Sequence, residues 1–239
     1  MEISEKLAAQ IDQWNTDLKG KNPMGVIAYF LDYFGDRIVL STSLGLEDQV
    51  ITALVLRQKR DTEVFTLDTG RLFPETYDLI ARTNKFFGIR MKIYFPEPGK
   101  VEEMVANHGI NLFYDSVEKR KMCCGIRKVA QLPRAFHGKE AWICGLRKDQ
   151  SVSRFFSKLV EWDANNGLLK INPLINWTIK DVWDYIKSHN IPYNLLHDRG
   201  FPSIGCEPCT RAIEPGEDVR AGRWWWESDL GKECGLHKR

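Results

Sequence analysis

Apolar positions along the chain alternate between two rhythms. Residues 37–41, RIVLS, form a short apolar run of the kind a buried strand makes. The small residues of STSLGLED follow, and then QVITALVLRQKR, whose apolar residues recur at helical spacing. TEVFTLDTG, residues 62–70, repeats the apolar run. FPETYDLIARTNKFFGI then reads as a helix with Pro74 in its first turn. IRMKIYFP, residues 89–96, is a third strand, and AWICG a fourth. Strand and helix alternating at this spacing predict an α/β fold, mostly a parallel sheet with helices on both faces and ligands at the carboxyl ends of the strands. Asn166-Gly167 between two apolar runs of LVEWDANNGLLKINPL predicts a β-hairpin. Thr178 and Asp181 stand in capping positions of a helix over TIKDVWDYIKSHN.

GKVEEMVANHGI and NLFYDSVEKRKMCCGIRKVAQLPRAF also read as helices, and residues 1–35 as an N-terminal helical segment. From IPYNLLHDRG onward the chain is rich in Pro and Gly and reads as loop. There is no internal repeat and no clear linker. Residues 1–239 are therefore expected to form one domain, with a C-terminal tail, residues 210–239, expected to be mobile.

A net charge of +2 gives no bulk basic field for nucleic acid. No run approaches the length of a membrane span, and the first residues lack the apolar core of a secretion signal. The expectation is a cytoplasmic protein with neither nucleic-acid nor membrane partners. Cysteines in such a chain then read as ligands or catalysts rather than disulfides, apart from Cys144, which lies in the fourth strand and reads as packing.

A strand, a turn bearing Ser and Gly, and a helix make an anion site, because the helix N-terminus offers N–H groups with no intrahelical partner. Ser41, Thr42, Ser43 and Gly45 are small enough to approach a phosphate there; an ordinary turn capped by Ser43 is the plainer alternative. Asp68, Thr69 and Gly70 lie at the end of the second strand. Arg147 and Arg154 follow the fourth, where guanidinium groups suit a planar or tetrahedral anion. Four of the cysteines fall into two pairs, Cys123-Cys124 and Cys206-x-x-Cys209. Four thiolates would close a site for a metal or a cluster, and zinc and iron–sulfur both remain open on spacing alone. On a helix two adjacent cysteines point about 100° apart, so both reach one site only with local distortion. Basic residues 119–121, 127 and 128 around the first pair would offset the charge of a thiolate-bound centre. Cys234 stands apart, with Lys232, His237, Lys238 and Arg239 close in sequence, a setting that favours thiolate. Trp224 to Trp226 read best as an anchor for the tail, closure over a nucleotide being the alternative.

STSLGLED, LDTGRLFPETY, KRKMCCGIRKV, GLRKDQS, CEPCTR, EDVRAGRWWWE and KECGLH, in this order from about Arg37 to His237, resemble the assimilatory adenylyl-sulfate (APS) reductases, the iron–sulfur branch of the phosphoadenylyl-sulfate (PAPS) reductase family. The resemblance implies an adenine nucleotide α-hydrolase-like fold and reduction of adenosine 5′-phosphosulfate to sulfite and AMP by thioredoxin or glutaredoxin. It implies that Cys123, Cys124, Cys206 and Cys209 hold a [4Fe–4S] cluster and that Lys128 lies between cluster and substrate. Ser41 to Gly45 would bind phosphate, and Asp68 to Gly70 would lie beside the nucleotide. Arg154, Arg220, Arg223 and His237 would surround the phosphosulfate, and Cys234 would be the nucleophile. Cys144 departs from the pattern, where Thr or a similar small residue is expected. A homo-oligomer is expected. A PAPS or dual-specificity reductase is the alternative, and an ATP-using RNA sulfur transferase a more distant one. Glu47 and Asp48 are expected to disfavour the extra 3′-phosphate of PAPS, or simply to complement the helix dipole.

Overall fold

The computed structural model describes residues 3–150 and 154–227. A six-stranded sheet runs in the order β3-β2-β1-β4-β6-β5, with β1 Ile38–Ser41, β2 Val64–Leu67, β3 Lys92–Tyr94, β4 Ala141–Ile143, β5 Val160–Asp163 and β6 Leu168–Ile171. β1 pairs in parallel with β2 and β4, β4 pairs in parallel with β6, and the β5–β6 hairpin is antiparallel. β1, β2, β4 and β6 are buried along their whole length, which is why they read as continuous apolar runs rather than alternating ones. Gly167 in the hairpin has φ 68°, the left-handed conformation its Asn-Gly turn calls for.

The first helices are α1 at Glu5–Asp17, α2 at Pro23–Phe34, α3 at Leu46–Gln58, α4 at Pro74–Phe87 and α5 at Pro98–His108, with Ser4 capping α1 and proline in the first position of α2, α4 and α5. Asn22 accepts from Gly25 N–H at 2.8 Å at the head of α2. Further on lie α6 Val117–Arg127, α7 Leu132–Ala135 and α8 Ile179–Ser188. The Thr178–Asp181 capping box opens α8 as expected.

The long helical reading around the first cysteine pair is corrected. Residues 111–136 break into a 3-10 turn at Leu112–Tyr114, α6, a second 3-10 turn at Val129–Gln131, and α7. Ser116 caps α6, accepting from Lys119 N–H, and Lys128 leaves the helix at φ −130°, ψ −60°. Pro133, with no N–H to donate, sits in the short α7.

The chain divides into two compact units that interleave along the sequence. The first takes the chain up to Thr66, Asp78–Lys92 and Phe136–Asn194; the second takes Leu67–Tyr77, Ile93–Ala135 and the chain from Leu195. In the first, α3 packs against α2 and α8, and the buried Gln49 amide of α3 donates to Thr83 Oγ1 at 2.9 Å and to the Pro192 carbonyl at 2.7 Å. In the second, Met104, Leu112, Phe113 and Trp224 form one apolar nest with two of the cysteines. Among the described residues no helix is long and apolar enough to cross a membrane.

Candidate active site

In the first unit the strand order reverses between β1 and β4, and that is where an open α/β sheet leaves a crevice at its carboxyl edge. The two segments that leave those strands are the turn after Ser41 and the chain through Gly145 to Arg147. Leu44 takes φ 63°, rare for a bulky residue, and Thr42 Oγ1 holds it by accepting from Leu44 N–H at 2.9 Å. Gly45 then opens α3 with no side-chain cap. The Asp48 carboxylate reaches back and accepts from Ser43 N–H at 2.6 Å, Ser43 Oγ at 2.7 Å and Gly145 N–H at 3.1 Å. Burial pushes the Asp48 carboxyl up, the Ser43 and Gly145 hydrogen bonds pull it down, and Glu47 adds a smaller upward push.

Glu47 accepts from Arg147 Nε at 2.8 Å in a nearly buried ion pair, and Arg147 also pairs with Asp149. Gln150 Oε1 accepts from Arg147 N–H at 3.1 Å and from Arg154 Nη1 at 2.5 Å. Ser43 does not cap the helix; Asp48 braces the turn instead. Glu47 and Asp48 stand in the first turn of α3, Glu47 bonded to Arg147 and Asp48 to Ser43 and Gly145. Arg147 bonds two carboxylates.

The second unit assembles the four paired cysteines. Cys123 and Cys124 lie in the last turns of α6, which runs through them without distortion. Cys123 is buried with Met104, Leu112, Phe113, Cys209 and Trp224, and Cys206 packs against the same nest. The Cys206-x-x-Cys209 loop is a tight turn: Cys209 N–H donates to the Cys206 carbonyl at 3.0 Å, and Thr210 Oγ1 donates to it at 2.9 Å. Burial pushes the Cys209 thiol far up, and the charges of Cys206, Cys124 and Cys123 push the same way against Arg223. Burial also raises the Cys123 thiol, opposed chiefly by Arg127. Cys209 therefore senses the other three thiols, and Arg71, Arg120, Arg127 and Arg223 each lie close enough to act on one of the four.

The Asp68–Gly70 turn is bound into the same assembly. Asp68 Oδ1 accepts from Gly70 N–H at 2.7 Å and from the Tyr77 hydroxyl at 3.0 Å. Arg127 Nη1 donates to the Thr69 carbonyl at 2.8 Å, and Thr69 Oγ1 lies 3.1 Å from Cys206 Sγ. Glu207 N–H donates to the Arg71 carbonyl at 2.8 Å. Gly70 adopts φ 70°, and a Cβ there would lie 3.4 Å from Arg127 Nη1. Arg127 and Thr69 thus join the turn to both cysteine pairs. The sequence singled them out only as a basic neighbour and a nucleotide-side residue, since nothing in it links positions 69 and 206.

Trp224 is 2% exposed, and Trp226 packs 4.5 Å from Tyr114, whereas Trp225 is 38% exposed. Two of the three thus anchor this segment, in line with the favoured sequence reading. The indole N–H groups of Trp224 and Trp226 are buried with no hydrogen-bond partner. Buried donors left over in the nest that holds Cys123, Cys206 and Cys209, with guanidinium groups beside it, suit an anionic, sulfur-rich group. Among the described residues no group of three or more His, Cys, Asp or Glu is drawn together around a single metal-ion position. Lys128 caps α6 and Arg220 N–H donates to Asp218. Arg223 lies over the Trp224 ring at 4.8 Å. Cys234 and His237 lie outside the described residues.

A family model described as the phosphoadenosine phosphosulfate reductase domain matches residues 37–212. A protein of Sinorhizobium fredii named adenosine 5′-phosphosulfate reductase is 50% identical over 234 residues, which is 98% of this chain and 93% of that one. One of the same name from Allochromatium vinosum is 52% identical over 204 residues, 85% of this chain and 80% of that one. Among solved structures, a phosphoadenylyl-sulfate reductase of Candida auris in a phosphate complex superposes with TM-score 0.74 at 28% identity, covering 89% of this chain and 99% of that one.

Proposed function

The chain belongs to the phosphoadenosine phosphosulfate reductase family, and from that membership we propose that it reduces adenosine 5′-phosphosulfate to sulfite and AMP, a step of sulfate assimilation. The observation that carries this reading is identity near 50% with a protein named for that activity along 98% of the chain.

Sulfur in a phosphosulfate is electrophilic but surrounded by anionic oxygens, so an attacking thiolate is repelled unless cations neutralise them. Lys128, Arg154, Arg220, Arg223 and His237 supply those cations in this reading, and the Ser41–Gly45 turn holds the phosphate. The Cys234 thiolate attacks sulfur, the bond from sulfur to the phosphate oxygen breaks, AMP leaves, and Cys234 carries an S-sulfo group. A dithiol such as thioredoxin or glutaredoxin then attacks Cys234 Sγ. Sulfite leaves with the electron pair, and the reductant's second thiol resolves the mixed disulfide. The two electrons come from the dithiol. Cys123, Cys124, Cys206 and Cys209 would hold a [4Fe–4S] cluster. When bound, it would supply a compact anionic centre against which the neighbouring guanidinium groups are ordered.

The test is incubation with APS, PAPS or ATP, identifying the nucleotide produced. AMP and sulfite from APS are expected. Equal kcat/KM with PAPS would make the enzyme a dual reductase, and adenylation of RNA from ATP would overturn the reading. With APS and no reductant, mass spectrometry should find one SO3 group on the peptide containing Cys234; an adduct on Cys144 would refute the mechanism.

A further inference from the structure

Residues 222–227 form a strap tied down on two sides of the second unit. On one side Trp224 N–H donates to the Cys209 carbonyl at 3.1 Å, Arg211 N–H donates to the Gly222 carbonyl at 3.0 Å, and Thr210 bridges Arg223. On the other side stands Arg120 of α6, four residues before Cys124 and so on the same helix face. Arg120 Nε and Nη2 grip Glu227 Oε1 and Oε2 at 2.7 and 2.8 Å, with both side chains almost fully buried. The same guanidinium lies over the Trp224 ring at 4.4 Å, and Glu227 N–H closes the strap by donating to the Trp224 carbonyl at 2.9 Å. Arg120 thus meets the Glu227 carboxylate from a position one helical turn before Cys124 on α6. Buried ion pairs contribute little net stability compared with apolar packing. What a two-pronged pair does supply is a fixed geometry.

We propose that Arg120 is a positioning residue for the reaction: its grip on Glu227 fixes the point from which the chain runs on to Cys234 and ties that point to the helix carrying the first cysteine pair. The inference rests on the reading of Cys234 as the attacking thiol. Cys234 follows Glu227 by seven residues. A fixed origin raises the effective concentration of the thiolate at bound substrate without touching the nucleotide.

The experiment compares wild type, Glu227→Gln and Arg120→Lys, each loaded and normalised to iron per chain. Glu227→Gln leaves α6 untouched, and Arg120→Lys keeps the positive charge beside Cys124, so neither variant strips the thiol set of its cation. Single turnover with APS and no reductant should form the Cys234 S-sulfo adduct about tenfold more slowly in both variants, with kcat falling in step and KM for APS unchanged. Tryptic cleavage after Arg223, within the strap, should be several-fold faster. Either readout at the wild-type value overturns the proposal. Absence of the adduct in the wild type would instead sink the reading of Cys234 on which it rests.

Discussion

Cys144, just past β4, is buried, and its Sγ donates to Asn172 Oδ1 at 3.1 Å. Burial pushes its thiol up to about 12, with Lys170 and Arg154 pulling back and Asp48 and Glu161 pushing further. The folded value lies above the free one of 9.0. Cys144 therefore adds stability that is complete below pH about 9 and is lost as pH rises towards 12. At pH 8 iodoacetamide should leave Cys144 unmodified in the folded protein and label it after unfolding in urea; labelling of the folded form would contradict this burial. Arg147 poses the opposite question, because the sequence offered it as a ligand for substrate. Arg147→Gln removes the cation from a nearly buried pair and leaves Glu47 behind, so it should cost about 3 kcal/mol in urea unfolding. Unchanged stability with a raised KM would return Arg147 to the role of a substrate contact.

At the scale of elements, two glycines hold the two sites in shape. A Cβ on Gly145 would lie 2.3 Å from Asp48 Oδ1, 2.9 Å from Glu47 Cβ and 3.1 Å from Asp48 N. Gly145→Ala must push the start of α3 away from β4. It is expected to cost about 1–3 kcal/mol and to raise KM for APS, since the turn moves with the helix. A Cβ on Gly222 would lie 2.3 Å from the Arg211 carbonyl oxygen, which is backbone and has little room to yield. Gly222→Ala should therefore loosen the strap and lower iron content while leaving the β1–α3 turn intact. Thermal unfolding with iron analysis on both variants separates the effects. Iron loss in Gly145→Ala but not in Gly222→Ala would reverse the assignment.

For the whole molecule, the purified protein should contain iron and acid-labile sulfide in equal amounts, about four of each per chain when fully loaded. Cys206→Ser should bleach it. Stoichiometric zinc in a colourless anaerobic preparation would refute the cluster. A bound group that only the folded state can hold adds its binding free energy to stability. Removing it with a chelator should raise amide exchange in α6 and residues 206–224, whose thiols would be left close together without a partner. β1, β4 and β6, buried in the first unit and with none of the paired cysteines, should keep their protection. Equal loss of protection in both units would mean that the thiol set supports the entire fold.

Local chemistry made much of this legible in the sequence. Buried strands appear as apolar runs because both faces are covered. The β5–β6 hairpin follows from Asn166-Gly167, and the start of α8 from Thr178 and Asp181, because the partners that form these turns lie within a few residues. The motif order named the family for the same reason: the residue types themselves were enough. The long helix around Cys123 misled because Ser116 and Lys128 break a pattern that periodicity alone would continue. Which charge meets which was decided only by tertiary structure. Arg147 and Glu47 are 100 residues apart, Arg120 and Glu227 107, Thr69 and Cys206 137. Any of several acidic or basic residues could have served on composition alone. Burial selects the partner, because a charge taken out of water needs an opposite charge at hydrogen-bonding distance, and only the folded chain sets those distances.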